Sequence, residues 1–290
     1  MPELPEVQTI VDDLISAGVQ GTVITSAKVY WPRSIATPQD FTRRIRGQRI
    51  NRIWRRGKYI IFEFASGMHM LVHLRMSGRL HLCSTGAPHA PHEHVVLKFA
   101  DRRDLRLHDT RKFGRISLVA DAGEILQTLG VEPLDPSFTQ RGLATILYQH
   151  HRMLKPLLLD QGVIAGIGNI YVDEALWEAG LHPCRRSDTL RETEVLALHA
   201  AIRRVLKRGL ANRGTSLGKG KTNYASVGRR HGRNAEELRV FRKTGELCPR
   251  CGTPVERIVV AQRGTHHCPR CQQFPKQKSP RAMPPGSKRR

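Results

Sequence analysis

The apolar positions at the start of the chain recur at the spacing of an α-helix. Five of them would share one helical face: Leu4, Val7, Ile10, Val11 and Leu14. Pro5 suits a first helical turn, and Glu6 would lie beside the positive end of the helix dipole. The pattern predicts an amphipathic helix that begins within the first few residues.

From about residue 22 to residue 119 the pattern is typical of β-strands. Residues 50–64 predict two strands joined by the basic turn Arg55-Arg56-Gly57-Lys58. Apolar and more polar residues alternate in four further segments, at 70–76, 80–82, 95–99 and 105–107. Several short strands separated by turns indicate a sandwich or a barrel.

The apolar spacing becomes helical again between residues 139 and 210, after a short helix at 124–130 and a linker at 132–136. Breaks in this helical region are expected at three places: Lys155-Pro156, residues 166–168 and His182-Pro183. Two later stretches lack apolar anchors. They predict a mobile loop at 212–237 and a disordered basic tail at 273–290.

The charge balance points to a polyanionic partner. The 290 residues include 48 Lys and Arg against 25 Asp and Glu, which gives a formal charge of +23. Nucleic acid is the simplest such partner, although the charge alone does not separate an enzyme from an RNA-binding protein. No segment approaches the ~18 apolar residues of a membrane span or has the pattern of a signal peptide, so we expect the cytoplasm or nucleoid.

Four of the six cysteines form two C-x-x-C pairs, at Cys248 and Cys251 and at Cys268 and Cys271. Two such pairs on a β-hairpin at about 243–272 would satisfy a tetrahedral zinc ion. Disulfides are the alternative, but they are rare in chains that are not exported. The remaining Cys83 and Cys184 are isolated in sequence and are expected to be free thiols.

The N-terminal Met1-Pro2-Glu3 offers a nucleophile and an acid side by side. Removal of Met1, which is followed by a small residue, would leave Pro2 with a free secondary amine. Such an amine has a pKa of about 8 and can form a Schiff base. Glu3 could then donate or accept a proton. An ordinary helix start explains the same residues, and both interpretations can hold together.

Two basic segments could contact DNA. Lys58, beside Arg55 and Arg56, could be an exposed phosphate contact or could supply a second amine or a proton donor. In residues 109–114, Arg111 and Phe113 could replace an extruded base, with the ring in the gap and the guanidinium on the orphaned partner. The alternative for this segment is a buried phenylalanine near a surface arginine.

Two further segments have weaker signals. Residues 166–171 resemble a phosphate-binding turn at a helix start, in which Asn169 would cap the helix and donate to a phosphate. His92 and His94 could bind a metal ion, but with no third ligand in evidence a phosphate contact or a loop histidine is preferred.

Together these motifs resemble the formamidopyrimidine-DNA glycosylase family, within the wider group that includes endonuclease VIII. Five motifs occur in the family's order, from Met1 to about Gln272: MPELPEV, RRGKY, HLRMSG with DTRKFG, GIGNIY and the finger containing AQRGTHHCPRC. The resemblance implies an α+β fold with an N-terminal antiparallel β-sandwich and leading helix. A helix–two-turn–helix bundle and a four-cysteine zinc-ribbon hairpin would follow.

The expected domain boundaries follow from the same resemblance. Residues 1–132 would form the catalytic sandwich domain, and 133–237 the helical DNA-binding domain with a lesion-capping loop at 212–237. The zinc finger would span 238–272 and the tail 273–290.

The resemblance also implies an activity, the excision of 8-oxoguanine and formamidopyrimidines followed by β,δ-elimination at the abasic site. Pro2 would attack C1′ of the damaged nucleoside and Glu3 would assist loss of the base. Lys58 would donate a proton during β-elimination, and Arg263 would serve the δ-elimination and hold phosphate. The enzyme would act as a monomer on double-stranded DNA, with one structural zinc ion and no catalytic metal.

The family's DNA contacts fall on further residues of this chain. Met76, Arg111 and Phe113 would fill the space left by the extruded base. The phosphate contacts match His92, Asn169 and either His151 or Arg152. A base that is chemically altered in its pocket must leave the stack, and such side chains compensate for the lost stacking.

Three departures from the family pattern stand out. Thr110 replaces a common proline, so the loop that carries Arg111 has less intrinsic rigidity. Residues 214–234, which would enclose the base, differ in composition, and the tail is an extension of unassigned role.

Three alternative functions are each compatible with part of the sequence. The first is an endonuclease VIII-like enzyme for oxidised pyrimidines, the second a catalytically silent damaged-DNA-binding protein, and the third a zinc-ribbon RNA binder. Leu4 and the Met76, Arg111 and Phe113 set favour purines. Pro2 beside Glu3, together with Lys58, favours an enzyme over either binding protein.

Overall fold

A computed structural model describes residues 1–37, 39–217, 224–228 and 231–274. The helices are α1 (Leu4–Ser16), α2 (Phe41–Ile45), α3 (Gly123–Leu126), α4 (Gln140–His150), α5 (Leu154–Leu159), α6 (Asn169–Glu178) and α7 (Glu192–Ala211). Short 3-10 turns lie at Pro32–Ser34, Ser187–Thr189 and Asn234–Glu237.

Eight strands form two antiparallel four-stranded sheets. One sheet has the order β1-β6-β7-β5, from Ile24–Val29, Glu93–Phe99, Arg103–His108 and Arg79–Ser84. The other has the order β2-β3-β4-β8, from Ile50–Arg56, Tyr59–Phe64, His69–His73 and Arg115–Val119. A separate hairpin pairs β9 (Glu256–Val260) with β10 (Arg263–His267).

Two large apolar cores organise the molecule. The first lies between the two sheets and includes Leu97 and Leu105 from one, Phe62 and Val72 from the other, and the inner face of α1. The second joins helices α4 to α7. Leu4 belongs to this second core although the rest of the α1 stripe packs on the sheets. The start of α1 therefore lies where the two cores meet.

The predicted α+β class is confirmed, and the β-region is a sandwich. The break predicted at Lys155-Pro156 is wrong, because both residues lie in the first turn of α5. Proline is tolerated in a first turn, where its missing N–H has no intrahelical partner. The breaks at 166–168 and His182-Pro183 are confirmed.

The predicted mobile loop at 212–237 is wrong for its two ends. Thr215 and Asn234 are buried, and the Asn234 amide donates to the Thr215 hydroxyl over 2.9 Å. Residues 218–223 and 229–230 of that loop, and 275–290 of the predicted tail, lie outside the described residues. Among the helices that are described, none has the length and apolar character needed to cross a membrane.

Candidate active site

The N-terminal segment packs against the turn that begins helix α6. The amide of Leu4 donates to the Gly166 carbonyl over 3.0 Å. The Glu3 carboxylate accepts hydrogen bonds from the first-turn amides of Ile170, at 2.9 Å, and Tyr171, at 3.3 Å. Glu3 thereby satisfies two amides that a helix start leaves without partners, and it lies at the positive end of the helix dipole.

The glycines of the 166–168 turn allow this approach. A Cβ atom at Gly168 would lie 2.3 Å from the Glu3 carboxyl carbon, and one at Gly166 would lie 2.9 Å from Leu4. Gly166 also has a φ of +91°. The glycines therefore admit the protein's own N-terminal segment, which corrects the expectation that they admit a phosphate.

Asn169 does not cap helix α6, contrary to prediction. Gly168 occupies the N-cap position, and the Asn169 amide nitrogen donates to the Gly264 carbonyl of the C-terminal hairpin over 3.0 Å. The side chain therefore ties the 166–170 segment to the hairpin that carries Arg263.

Lys58 also reaches this segment. It lies in the turn between β2 and β3 as predicted, but it is buried rather than exposed, and its Nζ donates to the Ile167 carbonyl over 2.8 Å. The flanking arginines are not a solvated basic turn either. Arg55 and Arg56 both bind the Glu132 carboxylate, which also accepts from the Gly57 amide. Glu132 therefore fixes the turn that presents Lys58.

Burial sets the protonation of the groups around Pro2. It raises the pKa of Glu3 to about 7, against the opposing charge of Lys58. It lowers the pKa of Lys58, against the opposing charges of Glu3 and Glu6. The α-amino group of Met1 also has a pKa lowered by burial. An amine at this end of the chain is thus less protonated, and a carboxyl group more protonated, than in water.

A cavity of about 370 Å³ opens beside Pro2. Its walls come from both parts of the molecule and include Pro2, Glu6, Met76, Arg111 and Tyr224. The volume lies at the small end of the range for ligand sites, about 300–1,000 Å³. A cavity of this volume has room for one flat heterocycle.

Glu6 fixes one wall of this cavity. Its Oε1 accepts the Tyr171 hydroxyl at 2.8 Å and the Thr215 amide at 2.7 Å. Burial raises the pKa of Glu6, whereas these hydrogen bonds lower it. The carboxylate thereby joins helix α1 to the described start of the 212–237 region.

Met76, Arg111 and Phe113 come together at the mouth of the cavity. Met76 and Phe113 are exposed and share a second pocket, while Met76 and Arg111 both line the first. The Arg111 guanidinium lies 4.9 Å from the centre of the Phe113 ring. The alternative of a buried Phe113 is therefore wrong.

Asp109 builds the loop that carries two of these side chains. This buried carboxylate accepts from the Arg111 amide at 3.1 Å and the Gly114 amide at 2.6 Å, and it also accepts the Ser77 hydroxyl. The Asp109 side chain therefore anchors both ends of the loop and also Ser77, the residue that follows Met76.

Arg263 is exposed at the first position of β10, next to Gly264. The Gly264 carbonyl accepts from Asn169 and, at 3.1 Å, from the Nζ of Lys155. The charge of Arg263 contributes to the lowered pKa of Lys58. The hairpin thus brings Arg263 close to the Lys58 side of the site.

Lys155 and Asp173 were not singled out from the sequence. Both are fully buried and paired over 2.6 Å, and Asp173 also accepts from the His266 amide at 2.9 Å. The sequence signals of this buried pair are a lysine within the apolar run LKPLLL and an aspartate within NIYVDEALWE. Buried charges are normally paired, so each predicts a partner.

The four finger cysteines fit one metal ion. Their sulfur atoms all lie within 4.8 Å of one another, with Cys248 and Cys271 at 3.9 Å and Cys251 and Cys268 at 3.4 Å. Tetrahedral zinc with bonds of about 2.3 Å requires sulfur separations of about 3.8 Å. Cys268 directly follows β10, so an ion at this site would close the base of the hairpin, as a structural ion does.

The remaining predicted phosphate contacts lie on the surface. His92 is exposed with a φ of 69°, and its carbonyl accepts from the Asp109 amide. His151 and Arg152 are exposed near the end of α4 and pair with Asp188 and Asp160 over 3.0 and 2.8 Å.

Three family models match consecutive parts of the chain. They describe the formamidopyrimidine-DNA glycosylase N-terminal domain at residues 1–116, the H2TH domain of the same enzymes at 129–220, and a zinc finger found in FPG and IleRS at 245–273.

Curated proteins and solved structures resemble nearly the whole chain. Formamidopyrimidine-DNA glycosylase of Protochlamydia amoebophila is 46% identical over 94% of this chain and 99% of its own, and that of Herpetosiphon aurantiacus is 43% identical over 94% and 100%. A Lactococcus lactis FPG mutant bound to Fapy-dG DNA is 36% identical, with a TM-score of 0.87 over 94% of this chain and all of its own. A MutM structure with carbocyclic 8-oxo-G DNA, also 36% identical, has a TM-score of 0.85 over the same shares of the two chains.

Proposed function

The chain belongs to the formamidopyrimidine-DNA glycosylase family, and from that premise we propose that its Pro2 amine is the nucleophile of the reaction. The protein is a base-excision repair glycosylase and abasic-site lyase that acts on oxidised purines in duplex DNA. The observation that carries the assignment of Pro2 is the packing of Glu3 on the start of α6. It places Pro2 at the cavity wall, beside an acid with a pKa of about 7.

The first step requires a free amine. Removal of Met1 exposes the Pro2 nitrogen, and the low polarity that lowers the pKa of the Met1 amine would keep the proline amine unprotonated. Its lone pair attacks C1′, and the electrons of the bond from C1′ to the base leave with the base. Glu3 supplies the proton that the leaving base accepts, which is the function of a general acid.

Strand cleavage follows from the same intermediate. The Pro2 nitrogen of this adduct loses its proton, the bond from C1′ to the ring oxygen O4′ breaks, and O4′ takes up a proton, which leaves a cationic iminium between Pro2 and C1′. The iminium acidifies the neighbouring sugar carbon C2′, whose proton passes to water as the bond from C3′ to the phosphate oxygen breaks. Lys58 is the proposed proton donor in this elimination, because its Nζ is fixed at the Ile167 carbonyl and its pKa is lowered by burial. Arg263, on the adjacent hairpin, is proposed to hold phosphate and to assist the δ-elimination.

DNA contacts are proposed on both sides of the cavity. Met76 and Phe113 would fill the gap in the stack while Arg111 faces the orphaned base. His92 and either His151 or Arg152 would bind phosphates. Asn169 would use its second amide hydrogen for the same purpose, since Gly264 takes the first.

The zinc ion held by Cys248, Cys251, Cys268 and Cys271 is structural. It supplies folding energy to the hairpin, and every reacting group named above is a side chain or an amine of this chain. We further propose that residues 1–132, 133–237 and 238–272 act as three units of a monomer. The expected location is the cytoplasm, with the protein associated with the nucleoid.

Cleavage of two oxidised duplexes tests the substrate assignment. We expect faster cleavage of DNA with 8-oxoguanine opposite cytosine than of DNA with thymine glycol opposite adenine. Faster cleavage of the thymine glycol duplex would mean that the protein acts on oxidised pyrimidines instead. Tight binding without cleavage of either duplex, with Met1 shown absent by mass spectrometry, would leave a damaged-DNA-binding protein.

A further inference from the structure

Trp31 lies behind the loop that carries Arg111 and Phe113. It follows β1, its amide donates to the His94 carbonyl over 3.3 Å, and its carbonyl accepts from Ser34 over 2.9 Å. Four residues further on, Ile35 pairs with Ile116 at the start of β8. The backbone around Trp31 is therefore attached to β6, which pairs with β7, and to β8, which follows residues 109–114.

Lys112 is at the tip of that loop and points its ammonium group at the Trp31 ring. Its Nζ lies 4.2 Å from the ring centre, well within the range of about 6 Å for a cation–π contact. The Arg33 guanidinium lies 5.8 Å from the same ring. Two cationic side chains therefore contact the Trp31 ring, and the closer of them is Lys112, from the loop at residues 109–114.

The loop needs such a restraint for two reasons. Lys112 has a φ of 60°, a left-handed conformation that a residue with a Cβ adopts only when its surroundings hold it there. Thr110 does not lock its own φ as a proline would. Asp109 fixes the two ends of the loop through the Arg111 and Gly114 amides. At the tip, the Lys112 amide donates to the Asp109 carbonyl over 3.3 Å, and the Lys112 carbonyl accepts from the Arg115 guanidinium over 3.0 Å. The contact with Trp31 adds a restraint on the Lys112 side chain.

We propose that Trp31 is a positioning residue for the base-replacing side chains and that it sets discrimination of the opposite base. By holding Lys112, it fixes the two residues on either side, which are Arg111 and Phe113. Arg111 can then meet the orphaned base in one orientation only. This inference rests on the proposed function, since it concerns how well the extruded base is replaced.

Replacement of Trp31 tests the contact. Trp31→Leu removes the aromatic face, and Trp31→Phe keeps one as the conservative control. We expect kcat/KM on the 8-oxoguanine·cytosine duplex to fall about fivefold in the leucine variant, within the range that a lost cation–π contact allows. The ratio of rates opposite cytosine and opposite adenine should shrink, and the phenylalanine variant should recover most of both.

A single-stranded abasic substrate separates positioning from general damage to the protein. It has no orphaned base and no stack to fill, so its cleavage by Trp31→Leu should match that of the wild type. Equal losses on the duplex and on this strand, with a lower Tm, would overturn the proposal and make Trp31 a support of the fold. If the wild-type protein cleaved neither the duplex nor the single strand, the proposed function itself would be wrong.

Lys112 supplies the second arm and carries the test if Trp31→Leu does not fold. Lys112→Met should reproduce the loss of opposite-base discrimination, whereas Lys112→Arg, which keeps the charge, should not. The double variant Lys112→Met with Trp31→Phe should discriminate between cytosine and adenine as well as Lys112→Met alone does. A phosphate contact by Lys112 predicts otherwise. Its removal would weaken binding to every DNA and lower the slope of log K against log salt by about one, with discrimination intact. That result would overturn the proposal.

Discussion

The Glu3→Gln variant is expected to excise 8-oxoguanine about 10³-fold more slowly than the wild type and to cleave ready-made abasic sites at nearly the wild-type rate. General acid catalysis contributes roughly 10²- to 10⁴-fold, and glutamine has no proton to give to the leaving base. The Ile170 and Tyr171 amides donate to different oxygens of Glu3, and the single side-chain oxygen of glutamine can still accept from one of them, so the start of α6 keeps part of its cap. An abasic site has no base to expel and requires only the amine and the elimination.

The pH dependence of the two reactions should differ for the same reason. Burial raises the pKa of Glu3 to about 7, so the protonated acid is lost as the pH rises through that value. Excision by the wild type should therefore decline on the alkaline side, whereas cleavage of abasic sites should not share that decline. Single-turnover rates on both substrates from pH 5.5 to about 9 measure this.

Glu63→Gln is the matched control, because Glu63 lies on β3 and makes only a long hydrogen bond of 3.4 Å to Asn51 among the contacts described. It should leave both rates unchanged. If Glu3→Gln loses both activities equally and its Tm falls, Glu3 acts as a helix cap and the general-acid assignment is wrong.

Gly168→Ala should disable the site from a position that does not line the cavity beside Pro2. The new Cβ would lie 2.3 Å from the Glu3 carboxyl carbon and 2.5 Å from its Oε1. The carboxylate is buried and bonded to the α6 amides, so it cannot swing aside without breaking those bonds. We expect a loss of stability of about 1–3 kcal/mol, typical of overpacking, and at least about a 100-fold loss of excision.

Gly162→Ala provides the comparison within the same segment. Its added Cβ would find only ordinary contacts, the nearest being Asp160 Oδ1 at 3.4 Å, and it should change stability by less than about 0.5 kcal/mol. Urea denaturation and single-turnover excision are the measurements. A Gly168→Ala protein as stable and active as this control would mean that Glu3 does not need its observed position.

The sequence was most informative where the signal is local. The apolar residues on either side of the basic turn at 55–58 predict β2, β3 and the turn at Lys58, and the two C-x-x-C pairs predict the cluster that the folded chain forms. Both depend on neighbours along the chain, such as strand period and ligand spacing. The zinc hairpin could therefore be predicted before any fold was known.

Long-range contacts were not accessible in this way. The burial of Lys58 depends on Ile167, more than a hundred residues away, and on Glu132, which neutralises the arginines beside it. The glycines near Asn169 were interpreted as phosphate contacts because sequence does not show that Glu3 occupies the same helix start. In both cases a segment distant in sequence occupies the position that the sequence pattern assigns to solvent or to a phosphate.

The assignment of Pro2 as nucleophile is tested by identifying the residue that joins covalently to DNA. Wild-type protein, with removal of Met1 verified by mass spectrometry, is incubated with the 8-oxoguanine·cytosine duplex in the presence of borohydride, digested, and mapped by mass spectrometry. We expect the sugar remnant to be attached to the N-terminal peptide, at the Pro2 nitrogen. A remnant on the peptide that contains Lys58, or the absence of any adduct while the base is excised, would contradict this assignment.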